Sequence, residues 1–135
     1  MLSRTQIIDR LKAAGITPTQ QRVDIALILF AKSQHMSAEQ VLNIANAGGA
    51  LVSKATVYNT LGLFAEKGLL REVIVDPAKV FYDSNTGEHH HFYNVDTGAL
   101  IDIESDAVRV DSLPPMPEGT VADGVDVIIR VRQAD

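Results

Sequence analysis

There is no cysteine anywhere in this chain. That absence excludes disulfides, thiol nucleophiles, cysteine-based zinc sites and thiolate-ligated haem, so any metal or redox chemistry must run through histidines and carboxylates. No apolar run approaches the ~20 residues that span a bilayer, and the opening MLSRTQIIDR has no hydrophobic segment of the signal-peptide kind. A cytoplasmic protein without a membrane partner is expected. No histidine follows His91, and neither a Ser/His/Asp arrangement nor a phosphate-binding glycine loop can be argued, so no catalytic residue is assigned. Negative charge is scarce in the front half: Met1–Glu72 carries 8 Lys/Arg against 5 Asp/Glu, whereas Val73–Asp135 carries 4 against 12. The net charge of −5 therefore conceals a mildly basic half joined to an acidic one. A nucleic-acid contact is expected only in the basic half, where the local potential matters more than the total.

What is present suits one ordinary domain or two small ones, since the 135 residues are 46% hydrophobic and 21% charged. Ser3 and Gln6 form a capping-box pattern ahead of Ile7, Leu11 and Ala14, predicting a first helix ended by Gly15. Thr17-Pro18-Thr19-Gln20 repeats the start signal with proline at the first helical position, and VDIALILFA is apolar on nearly every side, as a central helix is. Ser37 to Gln40 is a further capping box, opening a helix that runs out at Gly48-Gly49, with His35 in the link before it.

Ser53 caps a fourth helix, Ser53 to Lys67, whose Val57, Leu61 and Phe64 make one apolar stripe. Its other face carries Ala55, Tyr58, Asn59 and Gly62, small and amide-bearing residues suited to close approach to base edges. LLREVIV and KVFYD around Asp76-Pro77-Ala78 read as a hairpin. Helices followed by a hairpin are the layout of a winged helix-turn-helix over residues 1–84, with Ser53 to Lys67 as recognition helix. Lys54, Ala55, Thr56, Tyr58, Asn59 and Arg22 are the expected DNA-binding residues, with Lys12, Arg4 and Arg71 as further phosphate candidates. A helical domain that binds protein with the same face is the weaker reading.

Asn85-Thr86-Gly87 is a turn-rich break, placing a second domain at 85–135. In DSNTGEHHHFYNVDTGALID, a strand from His89 to Val95 points His89 and His91 to one face and His90 to the other, and the Asp96-Thr97-Gly98 turn folds Asp102 back beside them. Two imidazoles and a carboxylate would then converge. These nitrogen and oxygen donors suit Fe(II), Mn(II) or Zn(II). A surface hairpin with solvated histidines fits the same residues. Ala99 to Ile103 is a further strand, Ser105 to Gly124 reads as loop with at most a short helix, and VDVIIRVR alternates Val125, Val127, Ile129 and Val131 on one face. A sheet of roughly fifty residues buries too little surface to stand alone, which predicts a homodimer through the acidic half. The fold class expected is thus α+β, a winged helix-turn-helix domain plus a small α/β dimerisation domain.

Across nearly its whole length the chain resembles the ferric uptake regulator (Fur) superfamily of metal-dependent bacterial transcription factors. The resemblance is carried by GITPTQQR, HMSAEQV, SKATVYNTL, GLL and H-x-H before D-T-G. Within that superfamily, the lack of cysteine, the HHHFY run and MPEGTVADGVDVIIRVR resemble the iron response regulator (Irr) branch of alphaproteobacteria. By position, the resemblance implies a regulatory metal site on His35, Asp83, His89, His91 and Asp102, and base contact at Tyr58 with Asn59 beside it. It implies binding of an A·T-rich inverted repeat in double-stranded DNA, and iron-status sensing with haem as a possible cofactor at His89, His90 and His91. Two departures stand out. Asn94 and Thr97 occupy the positions of a Cys-x-x-Cys pair that holds a structural zinc in many relatives, and the proline-rich Leu113 to Gly119 replaces part of a helix, which puts a third family metal site in doubt. Alternatives are a peroxide sensor, a plain Fe(II), Mn(II) or Zn(II) repressor and, more distantly, a two-His-one-carboxylate metalloenzyme of cupin type, which the helical front half argues against.

Overall fold

The computed structural model describes residues 2–49 and 52–135, which form two compact units, Met1–Thr86 and Gly87–Asp135. Both are built from helix and sheet together or from sheet alone, giving an α+β chain. The first unit runs α1 (Arg4–Ala13), α2 (Gln20–Leu29), β1 (His35–Ser37), α3 (Ala38–Ala47), α4 (Lys54–Glu66), β2 (Arg71–Asp76) and β3 (Lys79–Asp83). The second runs β4 (His90–Asn94), β5 (Leu100–Ile103), a single 3-10 turn at Ser105–Ala107 and β6 (Ile128–Val131).

The helix starts follow the sequence signals closely. Ser3 with Gln6 and Ser37 with Gln40 close reciprocal capping boxes, and the Ser53 hydroxyl accepts from the Thr56 amide. These bonds satisfy amide groups that a helix leaves orphaned in its first turn. One start lies elsewhere than the proline pattern suggests: Thr19 is the N-cap of α2, so Pro18 precedes the helix instead of opening it. The Thr19 hydroxyl supplies an acceptor to the Arg22 amide at 3.3 Å, and a competing Thr17 start would have left that bond unmade.

α2 lies at the centre of the helical core, with Val23, Ile25, Ala26 and Leu29 buried. Ile7 and Leu11 of α1, Val41 of α3, and Val57, Leu61 and Phe64 of α4 close around it. The apolar stripe expected on α4 is thus fully buried, while Tyr58 on its other face is 42% exposed. β2 and β3 pair antiparallel across the Pro77-Ala78 turn, and β1 adds to the far edge of β3, giving the order β1-β3-β2. β1 is the element that sequence reading missed, placing His35 in a link. Three residues carry no readable alternation, and the partner strand lies far away in sequence.

The second unit has the order β5-β4-β6, with β5 antiparallel and β6 parallel to β4. Register places Phe92 between Ile101 and Ile129, while His91 lies between Asp102 and Ile128. The two faces differ in kind. Phe92, Ile101 and Ile129 make an apolar face on which Ile101 is 54% and Ile129 39% exposed. Among described hydrophobic residues of this unit, only Tyr93, Leu100 and Ile103 are buried.

Hydrogen bonds hold the β4–β5 turn where relatives are said to place a zinc. Asn94 Oδ1 accepts from the amides of Asp96 at 2.9 Å and Thr97 at 3.1 Å, and Thr97 Oγ1 accepts from Ala99 at 3.2 Å. Asn94 Nδ2 donates to Gln133 Oε1 at 3.0 Å, and the Gln133 amide donates to Asp96 Oδ2 at 2.8 Å. The turn and the last residues are therefore clasped together without metal.

Two stability outcomes follow. Leu61→Ala should cost about 2–5 kcal/mol in chemical denaturation, because a fully buried side chain leaves a cavity. Asn94→Ala should cost about 1–3 kcal/mol in the same measurement by losing several bonds at once.

Candidate metal centre

Each unit assembles part of the residue set expected to bind metal. In the first, antiparallel register sets His35 of β1 directly opposite Asp83 of β3, with Arg71 of β2 opposite Asp83 on the other side. The His35 ring also meets Phe81 edge-on at 6.0 Å between centroids. Asp83 is 1% exposed, and its Oδ1 accepts from the Asn85 amide at 2.9 Å. In an ordinary soluble domain a carboxylate this buried is paired or coordinates a cation.

In the second unit, the β4–β5 register brings Asp102 opposite His91, with His89 one strand period earlier. Donor atoms of His89, His91 and Asp102 all lie within 4.8 Å of one another. Asp102 Oδ1 stands 3.2 Å from His91 Nε2 and 3.7 Å from His89 Nε2, and the two rings are 4.5 Å apart. His89 Nδ1 lies 2.7 Å from the Gly87 carbonyl oxygen, which can only accept, so Nδ1 carries the proton. When the ring is neutral, its Nε2 lone pair faces the Asp102 carboxylate. A backbone carbonyl bound to the outer nitrogen is also how metal-ligating histidines are usually oriented. Lone pair facing lone pair is repulsive unless a proton or a cation lies between them, and a hard or borderline divalent ion fits this nitrogen–oxygen donor set.

His90 does something different. Its ring is on the opposite face, where Nδ1 accepts from the Val127 amide at 3.1 Å. A backbone amide can only donate, so the neutral His90 ring keeps its proton on Nε2. His90 thus ties β6 to β4, a structural role that its place in a histidine run gave no signal of. It also borders a cleft of about 380 Å³ with Glu88, Asp106 and Val110.

The residues expected to meet DNA lie on the first unit. Lys54, Ala55, Tyr58 and Asn59 are exposed on one side of α4, with Thr56 half-buried. The Lys54 ammonium is 5.7 Å from the centre of the Tyr58 ring, near enough for a cation–π contact. Arg22 donates to the Thr17 carbonyl at 2.8 Å, and Arg4 pairs with Asp24 at 2.9 Å, so both cations have intramolecular partners. Buried Tyr82, on β3, was not singled out from sequence; burial first, then the Glu72 carboxylate and Tyr58, push its phenol above the usual tyrosine range. Its hydroxyl stays protonated at neutral pH.

Comparison with known proteins agrees with this architecture. The chain is 29% identical over 97 residues to the peroxide-responsive repressor of Staphylococcus aureus, a match covering 72% of this chain and 66% of that protein. It therefore spans just under two thirds of the curated relatives' length. The solved ferric uptake regulator from Pseudomonas aeruginosa with manganese superposes with a TM-score of 0.69 at 28% identity, covering 94% of this chain and 97% of that one. The ferric uptake regulator from Francisella tularensis with iron, at 22% identity, shares the fold with a TM-score of 0.72 over 88% of this chain and 92% of that one. The model of the ferric uptake regulator family matches residues 13–113, and this chain belongs to that family.

Proposed function

We propose that this chain is a transcriptional regulator that binds operator DNA as a homodimer under the control of one divalent ion, Fe2+, Mn2+ or Zn2+, held by His35, Asp83, His89, His91 and Asp102. The observation that carries the reading is the convergence of the His89 and His91 Nε2 atoms on the Asp102 carboxylate, a nitrogen–oxygen donor set that fits a divalent ion. The helices and hairpin of residues 1–84 serve as a winged helix-turn-helix, with α4 in the major groove of an A·T-rich inverted repeat. Residues 85–135 serve as the dimerisation and metal-sensing domain. Support for the dimer is the apolar face of Phe92, Ile101 and Ile129 on a unit with little core of its own.

The ion acts as a clamp. Two of its ligands come from the first unit and three from the second, so binding all five restricts the angle between them. In a dimer that angle sets the spacing of the recognition helices, which must match half-sites about 34–36 Å apart or a multiple of it. An ion can bias this geometry only through its preference for one arrangement, and operator must shift metal affinity by the same factor as metal shifts operator affinity.

Iron status is the proposed signal, as in the iron response regulator branch, and the ion itself is favoured over haem as what carries it. His90 holds its proton on the nitrogen a haem iron would need, and His89, His90 and His91 are each at most 6% exposed. A peroxide reading uses the same ligands and is favoured by the Staphylococcus aureus relative, a peroxide-responsive repressor. The two separate by mass spectrometry after Fe(II) loading and peroxide treatment. Oxygen added to His35, His89 or His91 supports peroxide sensing, and unmodified histidines support iron sensing.

Three outcomes test the reading. His35→Ala should keep the dimer in sedimentation while removing the dependence of operator affinity on metal; full retention of that dependence would overturn the clamp. Tyr58→Ala should lose about 1–3 kcal/mol of specific affinity with non-specific binding nearly intact, whereas Lys54→Ala should weaken binding to every sequence and lower the salt slope by about one. Metal affinity should fall as pH is lowered, since protons compete for the imidazole nitrogens, and calorimetric titrations at several pH values will read this.

A further inference from the structure

The first unit contains its own physical connection between metal ligands and recognition helix, and Tyr82 is its central residue. β3 is the middle strand of its sheet, so Tyr82 is held in register by Met36 on one edge and Glu72 on the other. Directly after it in the strand comes Asp83, opposite His35. Alternation sends these two neighbours to opposite faces, Asp83 among the proposed ligands and Tyr82 into the helical core.

Tyr82 is 8% exposed, and with Tyr58 of α4 and Lys79 of the hairpin it walls a cleft of about 540 Å³. Tyr58 is 42% exposed, so part of its ring stands clear of α4. Lys54 approaches the face of that ring, and the cleft shared with Tyr82 borders it as well. The next register pair along, Ser37 with Phe81, includes the residue that caps α3. A displacement at the His35–Asp83 end of the β1–β3 ladder is therefore carried along stiff, hydrogen-bonded backbone to both the α3 cap and the wall behind Tyr58.

We infer that Tyr82 is a positioning residue for Tyr58, and that β3 transmits the state of the His35–Asp83 pair to the recognition helix within the first unit. The inference rests on the metal-dependent operator binding proposed above and names a residue through which that regulation acts. It is separate from the clamp, since all its residues lie in one unit. The ring, not the hydroxyl, is the prop, because it is the ring that the core holds.

The test uses the full chain, Zn(II), and a duplex selected from a random pool by the Zn(II)-loaded native protein. Tyr82→Leu should lower the ratio of operator affinities with and without Zn(II) by about three-fold or more, the remainder belonging to the clamp, starting from the ~5–150-fold range usual for coupled sites. Zn(II) affinity without DNA should stay within about three-fold of native. Tyr82→Phe should retain the native ratio, which a hydroxyl-based role would not allow. A native ratio in Tyr82→Leu overturns the inference and leaves the proposed function standing. A native protein whose operator affinity ignores Zn(II) overturns both. Should Tyr82→Leu fail to fold, 3-fluorotyrosine in the native chain reads the same link, with resonances assigned through Tyr58→Phe and Tyr82→Phe. The Tyr58 and Tyr82 signals should both move on adding Zn(II) without DNA, and a Tyr58 signal that does not move overturns the inference.

Discussion

Two imidazole nitrogens aimed at one carboxylate oxygen are the interaction around which the second unit is organised. Asp102 lies 3.2 Å from His91 and 3.7 Å from His89, and the Gly87 carbonyl fixes which nitrogen His89 presents. Such an arrangement is stable only with positive charge at its centre, as a proton or as an ion. The unit holds few buried apolar side chains, so a cation bound there would contribute to its order. Binding energy spent on fixing the ligands is then felt throughout the sheet, because β4 and β5 carry all three donors or flank them directly.

The neighbouring turn shows how the same scaffold does without metal. Asn94 and Thr97 supply side-chain acceptors to three backbone amides, and Asn94 and Asp96 reach Gln133. A zinc held by a Cys-x-x-Cys pair would fasten this turn by coordination. Here hydrogen bonds do it, one of them to the Asp96 carboxylate, each weaker than a metal bond but independent of metal supply and of redox state.

In the first unit the corresponding constraint is the three-stranded sheet. Its middle strand carries Asp83 toward the ligand set and Tyr82 toward the helices, while β1 carries His35 and ends in the cap of α3. Short strands usually contribute little stability, but here a three-residue one fixes the position of His35 and a helix start at once. The basic character of this unit is modest, and Arg4 and Arg22 have partners within it.

Much of this was legible in the residues. Capping boxes at Ser3 and Ser37, the stripe Val57–Leu61–Phe64 and the alternation around His89 to His91 are local signals, set by hydrogen bonds and side-chain periodicity within a few residues. They determined four helices, the hairpins and the face shared by His89 and His91. The sequence could not announce β1, the parallel pairing of β6 with β4, the tie between His90 and Val127, or Tyr82 at the cleft behind Tyr58. Each depends on a partner dozens of residues away, and the resemblance alone had joined His35 to Asp83. Only the tertiary structure decides such pairings, because a residue's local pattern fixes the face it presents but not the strand that will lie against it.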